Sequence, residues 1–176
     1  MSAIRFEAAL RYTDPAARFG PWTVLTLPKD ASARLPTRGM TVVEGTLNGF
    51  RFRAPLEPDG KGSHWFRVDK AMLEAAAVDV GDTVALEIEP AKVWPEPRVP
   101  TDLENALAAD PQARALWTDI TTMARWDWIR WLDSVKLSET RRERPGKLCS
   151  RLRAGKRRPC CFNRTLPTPP RSAEAL

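Results

Sequence analysis

Asn48-Gly49 is the sequence feature that most constrains the fold. Both residues tolerate a positive φ, which the two-residue turn of a β-hairpin requires at its two central positions. Residues 40–47 and 50–54 flank the dipeptide, and we predict that they form the paired strands of a tight hairpin. The chain is therefore expected to contain antiparallel β-structure before its midpoint.

Strand patterns also occur on both sides of this hairpin. One stretch alternates apolar and polar side chains for most of its length, which is typical of a half-buried strand. Another is rich in β-branched and aromatic residues. Short helices are predicted at 28–35 and 69–77, the second capped by Asp69. We predict a small closed or partly closed β-barrel, whose other strands are residues 4–11, 22–27, 63–68 and 83–89.

A proline-rich connector follows the predicted barrel. Residues 94–100 contain three prolines, which favour a stiff and extended backbone. Beyond it, Thr101 is predicted to cap a short helix that ends at Ala109. Asp110-Pro111 combines an N-cap residue with a proline at the first helical position, and the helix that it begins is predicted to reach about Val135.

Four tryptophans lie in this second predicted helix, at three- and four-residue spacing with other apolar residues. This spacing favours core packing, with Trp126 as the most exposed of the four. The alternative is that tryptophans beside Arg125 and Arg130 stack on bases or on ring-shaped ligands.

The predicted fold class is α+β: a small N-terminal β-barrel followed by a helical, basic C-terminal unit. We place the barrel domain at residues 1–92, the proline-rich connector at 93–100 and the helical basic unit at 101–164. Residues 165–176 contain three prolines and are predicted to be a disordered tail.

Positive charge is concentrated in residues 136–164, here called the basic arm. It has eleven Lys and Arg against two Glu, whereas residues 1–135 have sixteen bases and nineteen acids. This asymmetry favours a polyanionic partner, which includes nucleic acid. The predicted contact residues are Lys136, Arg141, Arg144, Lys156, Arg157 and Arg158. The alternative is that acids elsewhere in the chain neutralise the arm.

A break is predicted within the arm at Pro145-Gly146. Proline lacks the N–H that a helix interior needs, and its ring clashes with the preceding turn. The arm should therefore divide into two basic clusters, and Gly155 is predicted to end the helix or turn that carries the second.

No catalytic constellation can be recognised. The chain has one histidine, His64, and none of the motifs of nucleophilic, zinc or phosphate-loop sites. Its three cysteines lack the spacing of a metal site or of a disulfide framework. We therefore predict no catalytic residues, no metal and no cofactor.

No stretch is long enough to span a membrane, and without a secretory signal the expected location is cytoplasmic.

A small-molecule or enzymatic site between barrel and helix is a further alternative. Arg51 and Arg53 share one face of a predicted strand because side chains repeat every two residues. With His64 and Trp65 they would line such a pocket. The simpler interpretation is that the two arginines form surface ion pairs with Glu57 and Asp59.

Two blocks of sequence resemble known families. Glu-Gly-Thr-Leu-Asn-Gly-Phe at residues 44–50, with residues 57–60, 63–65 and 81–84, resembles a bacterial β-barrel domain of unknown function. Trp-Ile-Arg-Trp at 128–131 and Gly-Lys-Arg-Arg-Pro-Cys-Cys-Phe-Asn-Arg at 155–164 are similar to the C-terminal region of the bacteriocin-protection, YdeI/OmpD-associated family. The resemblance implies a small β-barrel followed by a helical basic segment, and it supplies no catalytic residues. Relatives have Arg-Arg-Ile or a similar sequence where this chain has Arg144-Pro145-Gly146.

The function that this resemblance implies is that of a non-enzymatic binding module in bacteriocin protection or envelope stress. Its partner would be a protein or a polyanion that contacts the basic arm. Nucleic-acid binding through the arm, and small-molecule binding or catalysis beside the barrel, remain the alternatives.

Overall fold

The computed structural model describes residues 2–13, 22–135, 137–160 and 162–164. The described chain divides into two compact units, one up to Val93 together with Asn163 and Arg164, the other Trp94–Phe162. The predicted disordered tail lies outside the described residues.

The first unit is a closed barrel of six antiparallel strands in the order β1-β2-β5-β4-β3-β6. Alternating side chains such as Ile4 and Leu10 face its core. The predicted α+β class and N-terminal barrel are confirmed. The elements of this unit are β1 Ile4–Tyr12, β2 Thr23–Thr26, α1 Lys29–Ala33, β3 Thr41–Leu47, β4 Phe50–Pro58, β5 His64–Arg67, α2 Lys70–Ala76 and β6 Thr83–Pro90.

The predicted hairpin joins β3 to β4. Asn48 and Gly49 both have a positive φ, 45° and 83°, as this turn requires. The Asn48 side chain also reaches a third strand, where its Oδ1 accepts a hydrogen bond from the Ala85 amide at 2.8 Å. The turn is therefore attached to β6 as well as to its own two strands.

The second unit consists of four helices, α3 Thr101–Ala108, α4 Pro111–Asp119, α5 Thr122–Asp133 and α6 Ser138–Arg153. Asp110 caps α4 as predicted, since its side chain accepts from the Ala113 amide. Thr101 is the first residue of α3 and does not cap it, because Pro100 occupies the N-cap position.

The prediction of one helix from Pro111 to about Val135 is wrong. Helix α4 ends at Asp119, and Ile120 is extended, with φ −70° and ψ 161°. Thr121 then caps α5 by accepting a hydrogen bond from the Ala124 amide at 3.1 Å. A threonine in extended conformation provides a new N-terminus here, which apolar spacing alone does not reveal.

The predicted break at Pro145-Gly146 is also wrong, because both residues lie inside the sixteen-residue helix α6. A proline in a helix interior costs about 3 kcal/mol. On the same helix Leu148 and Leu152 are fully or almost fully buried in the core of this unit, and burying each such side chain contributes about 1.5–3 kcal/mol. Tertiary packing therefore outweighs the local preference to stop.

Replacing Gly146 with alanine is expected to stabilise this unit by about 0.5–1 kcal/mol. The position is helical, and an added Cβ would meet no atom within 4 Å, so alanine would reduce only the entropy of the unfolded chain. Urea unfolding followed by tryptophan fluorescence measures the change. Gly155→Ala is the control that should destabilise the protein instead, because Gly155 has a φ of +86°. Equal effects of both substitutions would contradict this explanation.

The four tryptophans between residues 117 and 131 are core residues, as predicted. The relative exposure of Trp117, Trp126, Trp128 and Trp131 is 5%, 1%, 0% and 3%. The expectation that Trp126 is the exposed member is wrong. Its Nε1 donates to the Pro95 carbonyl at 2.7 Å, so the connector supplies the acceptor that a buried indole needs. None of the described helices is long and apolar enough to cross a membrane.

Candidate functional site

Two predicted contact residues of the basic arm are engaged by acids of their own unit. Arg157 Nη1 lies 2.9 Å from Asp119 Oδ2, and Arg158 Nη1 lies 2.5 Å from Asp127 Oδ2. The Arg157 backbone carbonyl also accepts from Trp128 Nε1 at 3.1 Å. These contacts hold the segment after α6 against α4 and α5.

Arg141 is a third predicted contact residue with a structural role. It forms ion pairs of 2.8 Å with Asp133 and 2.7 Å with Asp102, and only 14% of its side chain is exposed. Burial opposes its charge, but hydrogen bonds to the two carboxylates outweigh this and raise the Arg141 pKa. The two ion pairs of Arg141 thus connect α6 to α3 and to α5.

Ion pairs with acidic side chains neutralise much of the positive charge of the arm. Arg153 pairs with Asp110 and Lys147 with Glu143. Over Trp94–Phe162 the sequence nevertheless has fourteen Lys and Arg against nine Asp and Glu. Within residues 137–160, the cations for which the structure records no carboxylate partner are Arg142, Arg144, Arg151 and Lys156.

These four cations differ in exposure. The Arg142 and Lys156 side chains are exposed, whereas Arg144 and Arg151 are half-buried. Arg142 and Arg151 were not among the predicted contact residues. Lys136, which was, lies outside the described residues.

Arg144 and Arg151 both lie against the indole of Trp131. Their Cζ atoms are 3.9 Å and 4.7 Å from the ring centroid, within the range of a cation–π contact. Arg144 Nη1 also donates to the Trp131 carbonyl at 2.6 Å. It thereby satisfies one of the carbonyl groups at the C-terminal end of α5, where a helix favours positive charge.

The surroundings of Arg144 and Arg151 disfavour the positively charged form of Arg144. Burial, followed by repulsion from Arg151 and Arg141, lowers the Arg144 pKa. Arg151 Nη1 is fully buried and has no hydrogen-bond partner. Buried donors normally have a hydrogen-bond partner, because leaving one unsatisfied costs about 1–3 kcal/mol. The cost is larger for a charged group. This is therefore a cationic surface with unused donor capacity.

The spacing of three cations in the sequence places them on one face of helix α6. Arg144, Lys147 and Arg151 follow one another at intervals of three and four residues, so on a continuous helix they share one face. The predicted break at Pro145-Gly146 concealed this face, since it assigned the residues to two separate clusters. On a helix that continues through Pro145, this spacing indicates that the three cations share a face.

The four residues of the proposed barrel pocket are not gathered in one place on the barrel. Arg51 and Arg53 are exposed on β4, and Arg53 pairs with Glu44 at 3.6 Å. His64 and Trp65 lie on β5 beside the other end of β4, where Trp65 pairs with Glu57. Arg53 and Glu57 are four positions apart along the strand, which corresponds to about 13 Å in extended conformation.

His64 is the centre of a buried hydrogen-bond network. Its Nε2 lies 2.8 Å from the Gly39 carbonyl, and its Nδ1 lies 2.7 Å from Ser32 Oγ and 3.1 Å from Arg38 Nη2. A carbonyl oxygen can only accept and a guanidinium N–H can only donate, so Nε2 is the donor and Nδ1 the acceptor in these two contacts. Ser32 and His64 are fully buried. This serine–histidine contact connects α1 and the loop before β3 to β5, and it gives no access to a substrate.

Base stacking and metal binding are the other two chemistries considered. The buried tryptophans of the second unit do not present ring faces on which bases could stack. Across the described ranges, no group of three or more His, Cys, Asp or Glu is placed to hold a metal ion.

Comparison with known proteins gives two family matches and no curated relative. Residues 6–88 match a domain of unknown function, DUF1905, and residues 96–155 match the family described as bacteriocin-protection, YdeI or OmpD-associated. No curated protein matches the chain. The resemblance that the motifs predicted is thus confirmed: a barrel matching the DUF1905 family precedes a helical region matching the bacteriocin-protection, YdeI or OmpD-associated family.

Proposed function

We propose that this chain is a non-enzymatic binding protein of the bacteriocin-protection type, and that its helical unit contacts an anionic partner. The observation that carries the proposal is the match of residues 96–155 to that family. The barrel would serve as the companion domain. The described residues of the arm contribute the contact through charge and not through reaction chemistry.

Unequal neutralisation of the arm supports this assignment. Three of the predicted contact residues form ion pairs with acids of the same unit: Arg141, Arg157 and Arg158. Arg142 and Lys156 are exposed and have no recorded carboxylate partner, so they can attract an anionic surface without first giving up an internal pair. Exposed charges of this kind act mainly on the rate of association, and salt screens them.

A survival assay tests the proposal. Bacteria sensitive to a bacteriocin should survive exposure better when they express the chain than when they carry an empty vector. The double variant Arg142→Gln/Lys156→Gln should return survival to the empty-vector level, because within residues 137–160 it removes the two exposed cations that have no recorded carboxylate partner.

The matched control removes equal charge from the barrel unit. Lys61 and Lys92 are exposed there, and Lys61→Gln/Lys92→Gln should leave protection intact. No protection by the unaltered chain across a panel of bacteriocins would refute the functional class. Equal loss in both double variants would refute the role of the helical unit's cations.

A further inference from the structure

The guanidinium pair formed by Arg144 and Arg151 lies against one indole ring and makes few recorded hydrogen bonds. Each side chain is half-buried, and both lie against Trp131. Since each Cζ is within 5 Å of the same ring centroid, the two Cζ atoms are at most about 9 Å apart, a span that one phosphate group can bridge with a guanidinium on each side. No carboxylate in the described residues is recorded in an ion pair with either.

The pair keeps hydrogen-bond donors available. Arg144 uses only Nη1, toward the Trp131 carbonyl and the Ser134 hydroxyl, and its Nε and Nη2 make no recorded hydrogen bond. Arg151 makes no recorded side-chain hydrogen bond, and its Nη1 is removed from water. Apart from the buried Arg151 Nη1, the two guanidinium groups thus each keep Nε and Nη2 without a recorded hydrogen bond.

We propose that Arg144 and Arg151, held against Trp131, form a binding site for a phosphate group. This inference deepens the proposed function and rests on it, since it names the chemistry that the cationic surface recognises. A phosphate monoester carries about −1.5 to −2 charges at neutral pH and three strong acceptor oxygens. It therefore matches two guanidinium forks better than a single carboxylate does.

Neighbouring residues fit this assignment. Lys147 shares the helix face of the two arginines, and its exposed partner Glu143 forms only a surface pair with it, which is a weak interaction. The nearby Arg141 is already paired with Asp102 and Asp133. An incoming anion would offset the mutual repulsion that helps to lower the Arg144 pKa.

Titration of the full chain with inorganic phosphate tests the site. Phosphorus NMR at constant ionic strength should show saturable binding. Arg151→Gln should weaken it about tenfold or more, because hydrogen bonds to charged groups are among the strong ones. Arg151→Lys should restore it only partly, since an ammonium keeps the charge but loses the planar fork. Arg144→Gln should act in the same direction, but Arg151→Gln decides the test because Arg151 has no recorded hydrogen bond to lose.

Arg98→Gln is the matched control, since Arg98 belongs to the same unit but lies outside α6 at an exposed position. It removes the same charge, so the phosphate affinity should change by no more than about twofold. Equal weakening by Arg98→Gln and Arg151→Gln, or binding that does not saturate, would overturn the site.

Two other ligands distinguish the sources of the anion. Acetate should bind more weakly than phosphate, and equal binding would overturn the assignment to phosphate. A single-stranded oligonucleotide whose binding depends on Arg142 as strongly as on Arg151 would assign the surface to nucleic acid instead. Phosphate binding without protection in the survival assay would refute the proposed function alone, and protection without phosphate binding would refute this site alone.

Discussion

Gly45→Ala is expected to destabilise the barrel by about 3 kcal/mol, at the upper end of what overpacking a well-packed site costs. Gly45 lies on β3 opposite Ile88 of β6. A Cβ at this position would be 1.9 Å from the Glu87 carbonyl oxygen and 2.8 Å from the Ile88 Cα. Both are backbone atoms, so no side-chain rotation can relieve the contact and the two strands must move apart. A loss of this size is a large part of a typical domain's stability, about 5–15 kcal/mol.

Urea unfolding monitored by far-ultraviolet circular dichroism measures this change, and amide NMR identifies the strands that open. Gly39→Ala is the matched control, because its nearest neighbour, the Arg164 carbonyl oxygen, would be 3.4 Å away. That substitution should leave the unfolding midpoint nearly unchanged. If Gly45→Ala were equally mild, the close approach of β3 and β6 at this position would be wrong.

Trp128→Ala is expected to have the second large effect, a loss of about 3–5 kcal/mol from the helical unit. Trp128 is fully buried and contacts Trp131 edge to face at 5.5 Å between ring centroids. Alanine would leave a cavity in the core. It would also remove the donor to the Arg157 carbonyl, so the segment that carries Lys156 should loosen together with the core.

Tryptophan fluorescence during urea unfolding reports this transition, because five of the seven tryptophans lie in Trp94–Phe162. Met123→Ala on the same helix is the control. Met123 is 47% exposed, and a surface substitution of this kind usually changes stability by less than about 0.5 kcal/mol. A similar loss in both variants would contradict the central position of Trp128 in this core.

Features specified by a few adjacent residues were predictable from the sequence. Asn48-Gly49 determines its turn through backbone conformation, and Asp69 and Asp110 cap their helices through a side chain that reaches three residues ahead. Each depends on chemistry within four or five residues. The sequence was therefore sufficient to predict the hairpin and these two helix starts.

Features that depend on distant residues were not predictable in this way. Helix α6 continues through Pro145 because Leu148 and Leu152 are buried against other helices. Trp126 is buried because the Pro95 carbonyl, 31 residues away in sequence, accepts from its indole. The role of Arg151 at the candidate site depends on both the continuous helix and the position of Trp131.

The closed strand order of the barrel has a consequence for recognition. Each of the six strands has a neighbour on both sides, but β1 pairs with β2 only at residues 10–12 and β4 pairs with β5 only at residues 57 and 58. The rest of these two edges has no recorded strand partner among the described residues. Proteins that recruit partners by adding a strand to an open sheet need such an edge. An extended peptide that adds a strand would therefore have to pair along the remaining edge of β1 or β4. Other contacts of the barrel fall to side chains and connecting loops, which can change without altering the backbone pairing that closes the ring.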